Sequence, residues 1–301
     1  MKKSLPCLLM AVCLLHSACT PKKSAATEAK PETGSKIIVA LKPDKDPQKM
    51  LEERTNLASF LSAKMGRPVE VIVPLSSAVI QEGFANGTID LGYLSSTDMV
   101  TARKNGAADL LLAGEIDGKT TYESYWLCLK EKPYSSVRDL KGKKVAFASR
   151  TSTSGCIIPL NDLYEQGLLG TEVSPESFFG TGNVWYGSGY TTATDRVFSG
   201  DAEAAAVSDY VFNKDKHLTA EQRDKLKVLD TQGPVPTHTL AVRKTLSPAE
   251  RDRLKAALLS LNEEPHTALR DKVFTSKIVE VDADGHLAPI QKAMEVHSRL
   301  K

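Results

Sequence analysis

Short apolar runs that alternate with segments of helical period constrain this chain more than any other feature of its 301 residues. "KIIVALKP" (36–43) and "PVEVIVP" (68–74) are apolar runs closed by proline turns, and "TIDLGYLS" (88–95) is a third. Runs of this length predict buried strands. Between the first two, "PQKMLEERTNLASFLSAKMG" begins at Pro47 and repeats Met50, Leu51, Leu57, Phe60 and Leu61 at helical spacing, with Gly66 placed as a C-cap. "SSAVIQEGFANG" predicts a short helix with Gly87 past its end. Strand alternating with helix predicts α/β layers around a mainly parallel sheet.

One segment echoes another. "VIQEGFANGTIDLGYL" (79–94) aligns without gaps on "TATDRVFSGDAEAAAV" (192–207), matching Phe84 with Val197, Gly87 with Gly200 and Asp90 with Glu203. Each is a helix ended by glycine, an acidic residue entering a strand, and a strand buried on both faces. The roughly 265 residues from Lys36 onward therefore read as two similar α/β domains. The apolar stretch 121–130 runs out of one domain into the next, and "KVLDTQGPVPTHTLAVRK" (227–244) returns, so the two connections predict a hinge of paired strands. The expected lobes are 36–126 with 236–301, and 127–235. "LSPAERDRLKAALLSL" offers Ser247 as N-cap, Pro248 at the first helical position and Glu250 for a capping box, and the tail reads as helical around "PIQKAMEVHSRL".

Ahead of this body, Lys2 and Lys3, the apolar stretch Leu8–Leu15 and the small residues Ser17 and Ala18 have the layout of a secretory signal over 1–18. Cys19 after small residues resembles the lipobox of bacterial lipoproteins, with His16 standing where that box usually has leucine. Lipid anchoring through Cys19, and with it a periplasmic or cell-envelope location, is the expectation. Residues 19–35 are polar, without periodicity, and read as a flexible tether. The net charge is +2 with both signs well mixed, so no basic stripe points to nucleic acid, and no run after Leu15 is apolar enough to cross a membrane. Zinc-ligand spacing is absent, and neither a metal nor a cofactor is expected.

The chemistry concentrates in "SRTSTSGCIIP" (149–159), directly after the strand-like "KKVAFA". The first N–H groups of a helix lack internal partners, and that end of the helix is partly positive, so anions settle there. Ser152, Thr153 and Ser154 add hydroxyl donors without charge, and Gly155 lets a ligand approach the backbone. These groups, with the N–H groups of Gly155 and Cys156, suit an oxyanion held by neutral donors. The alternative at this point is that one serine caps the helix and the others are solvated.

The strand with "DLKGKKVAF", the S-T-S-G element with its apolar-proline helix start, and the later "YTTATDRVFSGDAEAA" together resemble the phosphate/phosphite/phosphonate-binding proteins of bacterial ABC importers. The resemblance spans Lys36 to Leu261. It implies a periplasmic binding protein of type II, with two α/β lobes joined by a two-strand hinge and a ligand cleft between them. It also implies that Ser152, Thr153 and Ser154 grip the phosphoryl oxygens, that Tyr125 in "SYWLC" faces the anion, and that Asp209 in "AVSDY" accepts a proton from the ligand. Three positions depart from the family pattern: Ser76 where some members have an aromatic residue, Tyr190 where histidine is common, and His238 where an acidic residue is common. An imidazole in place of a carboxylate removes an acceptor for a cationic amine. The implied ligand is therefore a small phosphorus oxyanion, namely phosphite, an alkylphosphonate or phosphate, rather than an aminoalkylphosphonate.

The implied partner is an ABC permease in the inner membrane, and the protein is expected to be a monomer. A second reading is an accessory of a sensor histidine kinase, with Cys156 as thiolate ligand for a thiophilic oxyanion such as arsenite, since the helix dipole lowers a thiol's pKa there. A disulfide between Cys128 and Cys156 is a further possibility. Ser154, His238 and Asp209 supply the residue types of a catalytic triad, but the serine lacks the glycine two places before it that a nucleophile elbow uses. No P-loop spacing is present, and no enzyme activity is expected.

Overall fold

The computed structural model describes residues 36–42, 50–170, 173–214, 217–274 and 276–299. The signal, the tether, Cys19 and the helix start at Pro47 lie outside the described residues. From the first described residues, β1 (Ile37–Ala40) leads through α1 (Leu51–Met65) to β2 (Val69–Ile72), and α2 (Ser77–Asn86) leads to β3 (Leu91–Leu94). α3 (Ser96–Lys104) and β4 (Ala108–Glu115) follow. A second stretch holds β5 (Thr121–Leu129), β6 (Val145–Phe147), α4 (Ile158–Glu165), α5 (Pro175–Phe179) and β7 (Val184–Tyr186). It continues with α6 (Tyr190–Phe198), β8 (Ala204–Ser208), α7 (Asp209–Asn213), α8 (Ala220–Asp224) and β9 (Leu226–Pro236). The last stretch holds β10 (Thr239–Arg243), α9 (Pro248–Leu259), α10 (Thr267–Phe274), β11 (Lys277–Val279) and α11 (Ala283–His297).

The strands form two sheets, ordered β11-β4-β10-β3-β1-β2 and β7-β6-β8-β5-β9. Each contains three parallel strands side by side, β2-β1-β3 and β7-β6-β8, with an antiparallel neighbour, β10 or β5. The sequence echo is thus a structural repeat. α2 and α6 run out at Gly87 and Gly200, whose φ values of 77° and 79° lie in the region open to glycine. Asp90 N–H then donates to the Ile38 carbonyl at 2.9 Å, and Glu203 N–H donates to the Lys144 carbonyl at 2.8 Å. Both bonds stitch the third parallel strand to the first.

Apolar side chains cover both faces of both sheets. Leu57, Leu61, Leu254 and Leu258 pack on one face of the first, and Ile80, Phe84 and Ile290 on the other. Trp126, Phe147 and Phe179 pack on one face of the second, and Ala193, Val197 and Val211 on the other. The predicted cap of α9 forms in part. Ser247 accepts the Glu250 N–H at 3.4 Å, but the Glu250 carboxylate takes the Ser247 hydroxyl at 2.9 Å and the Arg67 guanidinium at 2.6 Å. A nearby cation holds the carboxylate more strongly than a backbone N–H would.

The chain passes between the sheets at 116–120 and at 237–238. Asp117 and Gly118, with φ of 51° and 75°, make a two-residue turn closed by Ile116 and Lys119, which exchange backbone hydrogen bonds of 2.8 and 3.0 Å. Thr237 sews the two passages together: its N–H donates to the Thr120 carbonyl at 3.0 Å and its hydroxyl to the Gly114 carbonyl at 2.7 Å. β5 and β9 pair antiparallel from Thr121–Pro236 to Leu129–Leu226. α11 lies across both lobes, packing Leu287 and Ile290 with Ile157 and Ile158, and Val296 among the residues of the second core.

Asp90 is the polar anchor of the first sheet. Buried at 6 % exposure, it accepts from Arg243 Nε at 2.7 Å and from the Ile38 N–H at 2.8 Å, so one carboxylate joins β1, β3 and β10. Removing one partner of such a pair leaves a buried charge uncompensated, which costs about 3–5 kcal/mol. Asp90→Ala is expected to lower the unfolding free energy by about that amount in urea titration, and Asp90→Asn by less.

Candidate functional site

Parallel strands carry their following helices at the C-terminal edge of the sheet, and the hydroxyl turn sits on that edge after β6. Residues 153–157 form a π turn that opens into α4: Ile157 N–H reaches the Ser152 carbonyl at 2.9 Å, and Ile158 N–H reaches that of Thr153. Such single π turns are frequent at functional sites. The next donor in the series would be residue 159. It is proline and has no N–H, so the Ser154 carbonyl loses its helical partner. Ser124 Oγ on β5 replaces it at 2.6 Å.

The side chain of Ser154, wholly buried, meets the Tyr190 hydroxyl at 2.8 Å and accepts from the Tyr122 hydroxyl at 3.4 Å. Thr153 meets Thr97 of α3 hydroxyl to hydroxyl at 2.8 Å, a buried hydrogen bond from one lobe to the other. Ser152 caps: its hydroxyl accepts the Gly155 N–H at 3.1 Å. That N–H, offered to a ligand by the sequence, is thus occupied by the turn itself. Gly155 is required for space, since a Cβ there would lie 2.5 Å from Ala148 Cβ, 2.8 Å from Ser152 Oγ and 3.1 Å from Tyr190 Cε1.

Aromatic rings wall the turn. Tyr210 lies edge-on to Tyr190 with centroids 5.7 Å apart, and 6.3 Å from Tyr122, while His217 stands 5.5 Å from Tyr210 and 6.0 Å from Tyr190. Burial, and next the Tyr190 phenol, push the Tyr122 hydroxyl well above its ordinary pKa; Ser154 pulls it back a little and Asp209 adds to the rise. Burial, Tyr190 and Tyr122 do the same to Tyr210. Both phenols therefore stay protonated and offer O–H groups without charge.

The residues singled out from the sequence separate into four places. Ser152, Thr153, Ser154, Gly155 and Tyr190 come together as described. Tyr125 and Asp209 line a groove of about 660 Å³ that also reaches Tyr122, Gln232 and Asn213. The Tyr125 hydroxyl pairs with Asn213 at 3.3 Å and Glu123 at 3.4 Å, and strand alternation puts Tyr122 and Ser124, not Tyr125, on the side of the turn. Asp209 accepts from the Tyr210 N–H at 2.7 Å, the Ser208 hydroxyl at 3.1 Å and the Glu123 N–H at 3.4 Å, and burial raises its pKa. His238 lies by Tyr93, ring centroids 5.4 Å apart, with Nε2 2.7 Å from Lys42 Nζ. An ammonium only donates, so in this contact Nε2 is the acceptor. Ser76 is an exposed N-cap position of α2 whose side chain caps nothing.

Cys156 is a correction. It is fully buried in the second core, and desolvation pushes its thiol up to about 12 despite the helix end and Arg150 nearby. It is neither a thiolate nor open to a ligand, so the arsenite reading loses its residue. Cys128 and Cys156 are both free thiols. Tyr122, Tyr210 and Thr97 escaped the sequence reading. Alternation along "TYESYW" carried a signal for the first, since Ser124 and Trp126 share its face. Among the described residues no group of histidine, cysteine and carboxylate side chains is placed to hold a metal ion.

Residues 39–285 match the family model described as the periplasmic substrate-binding protein of phosphonate ABC transporters. The phosphate-import protein PhnD of Mycolicibacterium smegmatis is 27% identical over 252 residues, 81% of this chain and 77% of that protein. The fold is shared with the chloride-bound XAC2383 protein of Xanthomonas citri, at a TM-score of 0.75 and 18% identity over 87% of this chain and 99% of the other. It is also shared with PhnD1 of Prochlorococcus marinus in complex with methylphosphonate, at a TM-score of 0.72 and 19% identity over 88% and 98%.

Two outcomes are expected. Gly155→Ala must spread the turn, and a loss of about 1–3 kcal/mol is expected in urea unfolding, as for overpacked cores. Peptide mapping after iodoacetamide treatment at pH 8 should find Cys128 and Cys156 unmodified in the native protein and modified once it is unfolded.

Proposed function

The chain belongs to the family of periplasmic phosphonate-binding proteins of ABC transporters, and on that footing we propose that it captures a small phosphorus oxyanion at the Ser152–Gly155 turn. The family is one of binding proteins, not enzymes, whose partners are a small-molecule ligand and a membrane permease. The observation that carries the reading is the convergence of hydroxyls on Ser154: Tyr190 at 2.8 Å and Tyr122 at 3.4 Å, beside a helix N-terminus and shielded from water. Donors of this kind stabilise a deprotonated oxygen without the desolvation cost of burying a counter-charge.

The ligand class is phosphite, an alkylphosphonate or phosphate. Tyr190, Tyr210 and His217 crowd the space beside Ser154, which favours a small head group over one with a long tail. His238 faces Lys42 where relatives are expected to carry an acid, and neither side chain favours a cationic amine. The hinge is assigned to the passages 116–120 and 237–238, with closure bringing Thr97 to Thr153. Anchoring through a lipidated Cys19, a monomeric state and docking on an inner-membrane permease complete the proposal.

Thermal-shift and calorimetric titration with phosphite, methylphosphonate, phosphate, 2-aminoethylphosphonate and sulfate tests it. One of the first three should bind tightest and stabilise the fold by about 2.7 kcal/mol at a hundredfold excess over Kd. Ser154→Ala should weaken that ligand roughly tenfold to a hundredfold. Tightest binding of 2-aminoethylphosphonate, or unchanged affinity in Ser154→Ala, would count against the reading.

A further inference from the structure

The Ser154 carbonyl is held by the Ser124 side chain, and Ser124 is in turn met by Gln232. Ser124 Oγ lies 2.6 Å from the Ser154 carbonyl oxygen and 3.1 Å from Gln232 Oε1. Ser124 and Gln232 are direct cross-strand partners on β5 and β9. Ser124 is 0% exposed and Gln232 3%. A hydroxyl carries one proton, and the shorter contact takes it. Gln232 Oε1 would then face a lone pair, while Gln232 Nε2 is buried without a partner. Half a turn about the last side-chain bond exchanges the two ends of the amide without changing its shape, and puts an N–H where a donor is needed. The oxygen moved into the other position is the less costly group to leave unpaired.

We infer that Gln232 and Ser124 are positioning residues for the anion site. The Gln232 amide donates to Ser124, Ser124 donates to the Ser154 carbonyl, and this relay aims the Ser154 hydroxyl at the ligand. The turn needs it because Pro159 cannot supply the missing N–H. The strand register supplies it: Tyr122 pairs with Val235 and Ser124 with Gln232, so Glu123 stands against two residues, Gly233 and Pro234. Bulges of this kind re-aim side chains beside functional sites. The inference rests on the oxyanion reading of the same turn.

Gln232→Glu separates donation from packing. A protonated carboxyl can donate to Ser124 as the amide does; a carboxylate can only accept, and would draw the Ser124 proton away from Ser154. Methylphosphonate affinity, taken relative to the wild type at each pH from 5 to 8, should be about tenfold weaker at pH 8 and approach the wild-type value as the pH falls. Gln232→Met should be about tenfold weaker at every pH. Asp209, whose pKa burial raises, and the protonated phenols of Tyr122 and Tyr210 are common to all three proteins and cancel in the ratio. A pH-independent ratio for Gln232→Glu, or wild-type affinity in Gln232→Met, overturns the relay.

Amide-exchange protection of residues 152–157 in the unliganded proteins, again relative to wild type, tests the relay without a ligand. Protection in Gln232→Glu should recover on acidification and in Gln232→Met should not; the absence of that difference overturns it. Failure of the wild type to bind methylphosphonate, phosphite or phosphate would instead remove the oxyanion reading and leave the exchange result to judge the relay.

Discussion

Parallel strands cannot be joined by a tight turn, so each must be followed by a crossover, and every crossover leaves from the same edge of the sheet. In both halves of this protein the order is two strands flanking the first, β2-β1-β3 and β7-β6-β8. Helix N-termini collect on that edge as a consequence: α3 after β3, α6 after β7, α7 after β8, and the π turn with α4 after β6. The hydrogen bond between Thr97 and Thr153 links two of these starts, one from each lobe. Strand direction alone thus gathers partly positive helix ends at this place, which is the ground of the proposed anion site.

The side chains then give the proposed site its character. The turn and Tyr190 offer hydroxyls, Tyr122 and Tyr210 add phenols that burial keeps protonated, and Asp209, the carboxylate that acts on Tyr122, has its oxygens engaged by Ser208, Tyr210 and the backbone of Glu123. In the proposed site, selection among oxyanions would thereby rest on shape and on the number of proton-bearing oxygens, with bulk charge a lesser factor. The same burial that keeps the phenols protonated also silences Cys156, whose place in the first helical turn would otherwise favour thiolate.

Much of this was legible in advance. Gly66, Gly87 and Gly200 end helices with positive φ, as their places after apolar periodic segments require. The echo of 79–94 in 192–207 announced the repeat, because a twice-buried strand and its entry need the same residue pattern wherever they occur. The S-T-S-G element marked the turn. What stayed hidden depends on contacts across the sheets. Tyr125 was singled out three residues from Tyr122, but bulges in the β5–β9 register and the partner Asn213 set which tyrosine meets Ser154. Lys42 beside His238, and Thr97 beside Thr153, join residues 196 and 56 positions apart.

The sequence by itself determined the α/β alternation, the duplicated half-sheet and the hydroxyl turn, because these follow from local periodicity, from glycine and proline backbone limits, and from the chemistry of adjacent residues. Only the tertiary structure decided which phenols surround Ser154, that Asp209 and Tyr125 line a groove with Asn213, and that Cys156 is a core residue. The physical reason is the same for all three. Burial and orientation are properties of neighbours brought together by folding, and a pKa or a hydrogen bond is fixed by those neighbours rather than by the residue's place in the chain.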